Sequence, residues 1–241
     1  MKLYDEYKQV VDFDIAHDID RILISCSGGA DSAILFYILC DYLQKQNRTN
    51  VTVDMVSFSN DVKWRWNGRK AADIINYIID KLAFKQFDTH HVHYIPVQES
   101  KYWHPVQRKF FQEFPNALVI TGETCNPKPD AENKYLNDVE LAALQKRALP
   151  ERNIDSPNIK QIYSEHHHKK YTSRFFAPFT HVDKRFVASM YSEYNVKDMF
   201  FLTRSCENVP PSADGYYKEF ENTPCQKCWW CLERKWAFGE F

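Results

Sequence analysis

The chain lacks several things at once, and each absence narrows its function. It has no run of 18 consecutive apolar residues, so no helix of ordinary membrane-spanning length is expected. It has no surplus of either charge: 31 Lys and Arg stand against 32 Asp and Glu, a net charge of -1. Without a global basic excess, nucleic acid is not the expected partner. There is no internal repeat and no Gly-x4-Gly-Lys-Ser/Thr phosphate loop. The residues after Met1 form no apolar stretch of the secretory kind. The seven cysteines are an odd number, and four of them are spaced like metal ligands rather than a disulfide framework. Reduced, cytoplasmic surroundings are therefore expected.

What is present suits a globular α/β protein. At 241 residues the chain has room for one domain, with or without a small appendage. Aromatic residues make up 15%, which points first to a bulky core and only then to aromatic-lined pockets. Short apolar runs at 21–25, 51–58, 91–97 and 117–121 read as strands. Between them, residues 31–43, the stripe Ala71, Ile74, Ile75, Ile78, Ile79 and Leu82, and residues 106–114 read as helices. Strand and helix in alternation predict a Rossmann-like, doubly wound parallel sheet with ligands at the carboxyl ends of its strands. Residues 1–20 are expected to form a short helix or arm, and 133–148 a helix. Residues 150–177 carry weak periodicity and read as an insertion or loop, with His166, His167 and His168 more in keeping with a solvated loop than a metal site.

The most informative segment is Ser27-Gly28-Gly29-Ala30-Asp31-Ser32, between an apolar strand and an apolar helix. Adjacent glycines permit a tight turn and close approach of the backbone to a ligand. The helix start beyond them offers unpaired N–H groups and a positive dipole end to an anion. Ser27 and Ser32 carry hydroxyl donors, and Asp31 suits a magnesium ion or the orientation of a reacting group. Further on, Thr180-x-x-Asp183 fits a capping box, which puts Lys184 in the first turn of a helix. The dipole disfavours a cation there, so Lys184 either faces an anion or is simply exposed.

At the C-terminal end stand Cys206 and then Cys225-x2-Cys228-x2-Cys231. Four thiolates suit one tetrahedral ion, with zinc the first choice and an iron–sulfur cluster the competing one.

These motifs together resemble the ATP-pyrophosphatase (PP-loop) family and, within it, the 7-cyano-7-deazaguanine synthases. The SGGxDS turn carries the family likeness. Pro178 to Lys184, Thr203-Arg-Ser-Cys206 and the tail from Cys225 through Phe238, with Arg234 close to the expected place, carry the narrower one. The segment 57–61 with Arg65 is similar only in outline, and 122–130 and 150–177 lie outside the resemblance. It implies an adenine nucleotide alpha hydrolase-like fold: a PP-loop domain over 1–200 with an insertion around 126–177, then a small helical zinc-binding subdomain over 201–241. It implies an ATP-dependent ligase that adenylates a small 7-deazapurine carboxylate, releases pyrophosphate and AMP, and adds nitrogen from ammonia. Ser25, Ser27, Gly28, Gly29, Ala30, Asp31, Ser32, Phe58 and Gly122 would bind ATP and Mg2+. Asp31 and Lys184 would be catalytic, and Cys206, Cys225, Cys228 and Cys231 would bind structural Zn2+. A homodimer stays open. The alternatives are a PP-loop tRNA thiolation enzyme, for which Cys125 is a candidate nucleophile, and a non-catalytic nucleotide-binding module.

Overall fold

The computed structural model describes residues 1–60, 65–95, 103–128, 130–146, 152, 175–206 and 223–241. Its centre is the strand β3 (Arg21–Ser25), after a short hairpin of β1 (Lys2–Tyr4) and β2 (Val10–Asp12). Ile22, Leu23 and Ile24 are all buried, because β3 has a parallel neighbour on each side and is covered on both faces. The chain continues through α1 (Ala30–Lys45), β4 (Thr52–Ser59), α2 (Asn67–Leu82), β5 (Phe87–Tyr94), α3 (Trp103–Glu113) and β6 (Ala117–Thr121). Then follow α4 (Asp138–Lys146), β7 (Phe175–Phe176), α5 (Lys184–Glu193), α6 (Lys197–Phe200) and α7 (Trp229–Phe238).

The five-stranded sheet has the order β5-β4-β3-β6-β7, and every pairing in it is parallel. This is the expected Rossmann-like arrangement. Connections run outward from β3 on one side and return to β6 on the other, so the order reverses between β3 and β6. Their ends coincide, with Ser25 opposite Thr121. The loops leaving both strands therefore meet in the crevice where such sheets hold ligands. Gly122 allows them to meet closely: a Cβ there would lie 2.9 Å from the Asp31 carbonyl oxygen and 3.0 Å from its carbon. Helix α1 is buried nearly all round, as its run of apolar residues requires.

Several elements depart from expectation. The first twenty residues hold a two-stranded antiparallel hairpin rather than a helix. Leu3 and Val11 point inward, but strands of three residues are too short for alternation to register in the sequence. The third sheet strand starts and ends earlier than expected, at Phe87 and Tyr94. Pro96 and Val97 lie outside the described residues. The helix expected over 133–148 begins only at Asp138, because Asn137 and Glu140 form a reciprocal cap: the Asn137 side chain accepts from the Glu140 N–H at 2.9 Å, and the Glu140 carboxylate accepts from the Asn137 N–H at 3.1 Å. At α5 the cap is Asp183 itself, whose carboxylate accepts from the Arg185 N–H at 2.9 Å. Thr180 is not the cap; its hydroxyl donates to the Ala177 carbonyl. His166, His167 and His168 fall outside the described residues.

The hairpin is tied to the helix that carries Lys184. Gln9 accepts from the Asp183 N–H at 2.8 Å and donates to its carboxylate at 3.2 Å. The segment leading into β3 is held by the buried Arg48, whose guanidinium donates to the carbonyls of Ile15, Ala16, His17 and Ile19. Arg48→Met would leave those carbonyls short of donors. It is expected to lower unfolding stability by about 1.5–3 kcal/mol, the range for hydrogen bonds to a charged group. Urea denaturation followed by circular dichroism measures this; a midpoint equal to wild type would contradict it.

Candidate active site and metal centre

The turn between β3 and α1 is braced from behind. Gly28 sits at φ +72°, a conformation that glycine adopts readily, and a Cβ there would lie 2.6 Å from the Lys70 Cβ. The Gly28 carbonyl accepts from the Arg204 N–H at 2.8 Å, and the Ala30 carbonyl from the Tyr191 hydroxyl at 3.0 Å. Ser32 does not offer its hydroxyl outward: it donates to the Gly29 carbonyl at 3.1 Å. The Ser27 oxygen accepts from the Gly29 N–H at 3.4 Å.

In front of this turn lies a cavity of about 270 Å³. Ser27, Gly29, Ala30 and Asp31 form one wall, and Gly122, Glu123 and Thr124 from the end of β6 form another. Lys184, Arg204 and Arg152 bring three cations to it, and Trp66, Trp230 and Cys206 complete it. Ser25, Gly28, Ser32 and Phe58 do not line it. Phe58 packs instead with the Phe110 cluster and stacks on the His93 ring at 5.7 Å. A larger cavity of about 870 Å³ opens elsewhere, between the β1–β2 hairpin, α5 and α7. None of the residues expected from the sequence to be catalytic, nucleotide-binding or metal-binding lines it, so the smaller cavity is the candidate site.

Lys184 is the first residue of α5 and is almost fully buried. Its Nζ lies 2.7 Å from Asp31 Oδ2 and 3.4 Å from Glu233 Oε2. Anions do face this lysine, and in the protein alone they are its own carboxylates. Glu233 Oε1 is in turn 2.7 Å from Arg152 Nη2. Burial pushes the Asp31 carboxyl above the usual carboxylate range, the Lys184 ammonium pulls it back, and the Glu233 charge adds to the rise. Three buried polar atoms of cavity-lining residues have no hydrogen-bond partner among the described residues: Asp31 Oδ1, Trp66 Nε1 and Arg152 Nη1. Buried polar atoms are seldom left unpaired in folded proteins, so orphans gathered at one cavity mark a place for a polar ligand. The Arg204 guanidinium lies over the Trp66 ring at 4.2 Å and closes the same side.

Sequence reasoning assigned no role to Arg152, Arg204, Glu233 or Lys70. Arg204 and Glu233 stand inside motifs that had been noticed, flanked by Thr203 and Cys206 in one case and by Cys231 and Arg234 in the other. Arg152 stands in a stretch of weak periodicity. Cys125, the candidate nucleophile, is buried, does not line the cavity, and has its thiol pushed up to about 12 by burial. A thiol packed and raised in this way is a poor nucleophile at neutral pH.

The four C-terminal cysteines come together. Their sulfurs all lie within 4.8 Å of one another, with Cys225–Cys231 at 3.9 Å and Cys228–Cys206 at 4.0 Å. Hydrogen bonding to the Cys206 sulfur pushes the Cys228 thiol up to about 12, and Cys231 is raised further by Cys206 and Cys228. A divalent cation would replace those shared protons, as such sites require. Cys228 caps α7 and Cys231 lies in its first turn, while Cys206 also lines the cavity. The cysteine cluster and the glycine turn thus meet at one cavity.

No protein-family model and no curated protein matches this chain. Among solved structures, the U34-tRNA thiolase NcsA from Methanococcus maripaludis, solved with its 4Fe–4S cluster, aligns at TM-score 0.45 and 12% identity. That alignment covers 82% of this chain and 63% of the thiolase. NMN synthetase from Francisella tularensis aligns at TM-score 0.40 and 13% identity, over 92% of this chain and 79% of that one. FMN adenylyltransferase from Candida glabrata aligns at 0.37 and 11%, over 71% and 48%. Scores below 0.5 at these identities carry no inference about activity. No described helix is long and apolar enough to cross a membrane.

Two outcomes follow from these geometries. Cys228→Ala is expected to lose the bound metal and to unfold at lower temperature, checked by metal analysis and calorimetry; a metal-free variant as stable as wild type would contradict a structural centre. Cys125 in the folded protein is expected to resist iodoacetamide at pH 8 and to gain reactivity only as pH climbs toward 12, because a raised thiol pKa keeps the unreactive protonated form up to that value. Peptide mapping of the alkylated protein reads this directly.

Proposed function

We propose that this protein is an ATP-dependent synthetase that adenylates a carboxylate on a small molecule and releases pyrophosphate. The observation that supports it best is the convergence of Asp31 and Lys184, 153 residues apart in sequence, at a glycine turn that opens a helix. In this reaction an acceptor carboxylate oxygen attacks the α-phosphorus of ATP. The bond from that phosphorus to the bridging oxygen breaks, and pyrophosphate departs with the electron pair. Ammonia then attacks the acyl carbon, loses a proton and displaces AMP, leaving an amide. We take a 7-deazapurine carboxylate as the acceptor, on the strength of the sequence resemblance between Pro178 and Phe238.

The chain's own groups divide the work. The turn from Ser27 to Asp31 presents backbone N–H groups to the phosphates. Lys184 offers an ammonium to the charge that builds on the leaving pyrophosphate, and Arg204 adds a second cation across the cavity. Asp31 Oδ1 is a buried oxygen donor with no partner, which suits Mg2+, a hard cation that would neutralise phosphate charge. For the four thiolates we assign zinc. A tetrahedral ion with Zn–S bonds of ~2.3 Å sets its sulfurs about 3.8 Å apart, close to the 3.9 and 4.0 Å seen here. A cubane cluster would spread them, since each thiolate binds a different iron. Four protein ligands leave zinc no open position, so its role is structural.

The test is product analysis after mixing the protein with ATP, magnesium, ammonium and 7-carboxy-7-deazaguanine. AMP, pyrophosphate and an amide or its dehydrated nitrile are expected; ATP bound but not cleaved would favour a non-catalytic nucleotide-binding module. Asp31→Asn is expected to abolish pyrophosphate release, a loss of at least about 100-fold, while leaving the unfolding transition in place. Pyrophosphate release at the wild-type rate would remove Asp31 from the reaction.

A further inference from the structure

Glu233 lies in the cysteine tail, outside both the glycine turn and the segment that carries Lys184, yet it is completely buried against Lys184. It stands on α7, two residues beyond Cys231. Its two oxygens are used differently. Oε1 is clamped by Arg152 Nη2 at 2.7 Å, in hydrogen-bonding geometry. Arg152 is itself fixed: it donates to the Thr124 carbonyl at 2.7 Å, the Thr124 hydroxyl at 2.7 Å and the Cys125 carbonyl at 3.0 Å. Its guanidinium also lies over the Trp229 ring at 4.9 Å. Oε2 has no hydrogen-bond partner among the described residues, and it faces the Lys184 ammonium at 3.4 Å.

A carboxylate serving only to hold α7 against the loop after β6 would need Oε1 alone. The second oxygen is left in charge contact with Lys184 without binding it in one geometry. That matters because Lys184, hydrogen-bonded to Asp31 at 2.7 Å, must turn from it to reach a phosphate. An ammonium this deeply buried cannot lose all its counter-charge without a large penalty. Glu233 supplies a carboxylate that stays behind it throughout that movement.

We propose that Glu233 is a positioning residue for adenylation: clamped by Arg152 through one oxygen, it uses the other to hold the Lys184 ammonium in reach of the departing pyrophosphate. This rests on the adenylation reading above. It also makes α7 the element through which the cysteine centre supports the phosphate site, since Cys231 and Glu233 lie on the same short helix.

The experiment compares wild type with Glu233→Gln and Glu233→Asp in the ATP, ammonium and 7-carboxy-7-deazaguanine assay. Bound metal, melting temperature and the Kd of a non-hydrolysable ATP analogue are measured on the same samples. Glu233→Gln is expected to lower kcat about 100-fold, as loss of one preorganised electrostatic contact does. Metal content should stay at wild type and the analogue Kd should change less than about threefold. Glu233→Asp keeps the charge beside Arg152 but withdraws it from Lys184 by one methylene, so it is expected to fold and still lose kcat about 10-fold. This second variant carries the test if Glu233→Gln does not fold. If wild type cleaves ATP and the folded variants match its kcat within twofold, the positioning role falls and adenylation stands. If kcat falls only in proportion to lost metal, the role falls as well. If wild type makes no AMP, the adenylation reading fails first and takes this role with it.

Discussion

Everything at this site depends on a row of alternating charges, three of them buried and the first half-buried: Asp31, Lys184, Glu233 and Arg152. Each comes from a different part of the chain, and each is tolerable in the interior only because its neighbours carry the opposite sign. Formally the row sums to zero. Removing one partner strands a charge in low-dielectric surroundings, whereas the complete set costs far less than its members would singly. The row therefore fixes how the start of α1, the start of α5, the loop after β6 and helix α7 sit against one another. The cavity is the space left in front of it.

A row of this kind has chemical potential as well as structural value. Ion pairs without full hydrogen-bond saturation are poised to exchange partners. Asp31 keeps one oxygen unpaired, and Lys184 stands between two carboxylates rather than being locked to one. Polyphosphate entering such a place would rearrange existing charge instead of opening a new buried pair. That is the physical sense in which a site can be preorganised before its ligand arrives.

Legibility in the sequence divides along distance. The strand, glycine turn and helix from Arg21 onward are readable because every determinant is local: a flush apolar run, a turn demanding glycine, then an apolar helix. The cysteine set is readable because three ligands repeat every third residue. Lys184 stood out because a cation opening a helix calls for an explanation. The Arg152–Glu233 pair was invisible, since its members are 81 residues apart and nothing near either one implies the other. The β1–β2 hairpin escaped for another reason: three-residue strands carry too little alternation to outweigh a mixed, acidic composition. Phe58 was placed by outline similarity, and its ring went to the sheet's apolar face because a hydrophobic side chain beside Phe110 gains more from burial there than from an open polar cavity.

Helix α7 packs several duties into one turn and a half. Cys228 opens it, Trp230 meets the cavity, Cys231 joins the sulfur cluster, Glu233 enters the charge row and Arg234 donates to the Thr203 and Phe200 carbonyls. Each residue along a helix turns the next by roughly 100°. One inserted or deleted residue after Cys231 would therefore swing Glu233 and Arg234 out of line together while leaving the cysteines in place. Here the spacing of residues is under constraint as much as their identity: a change of length would displace both side chains at once.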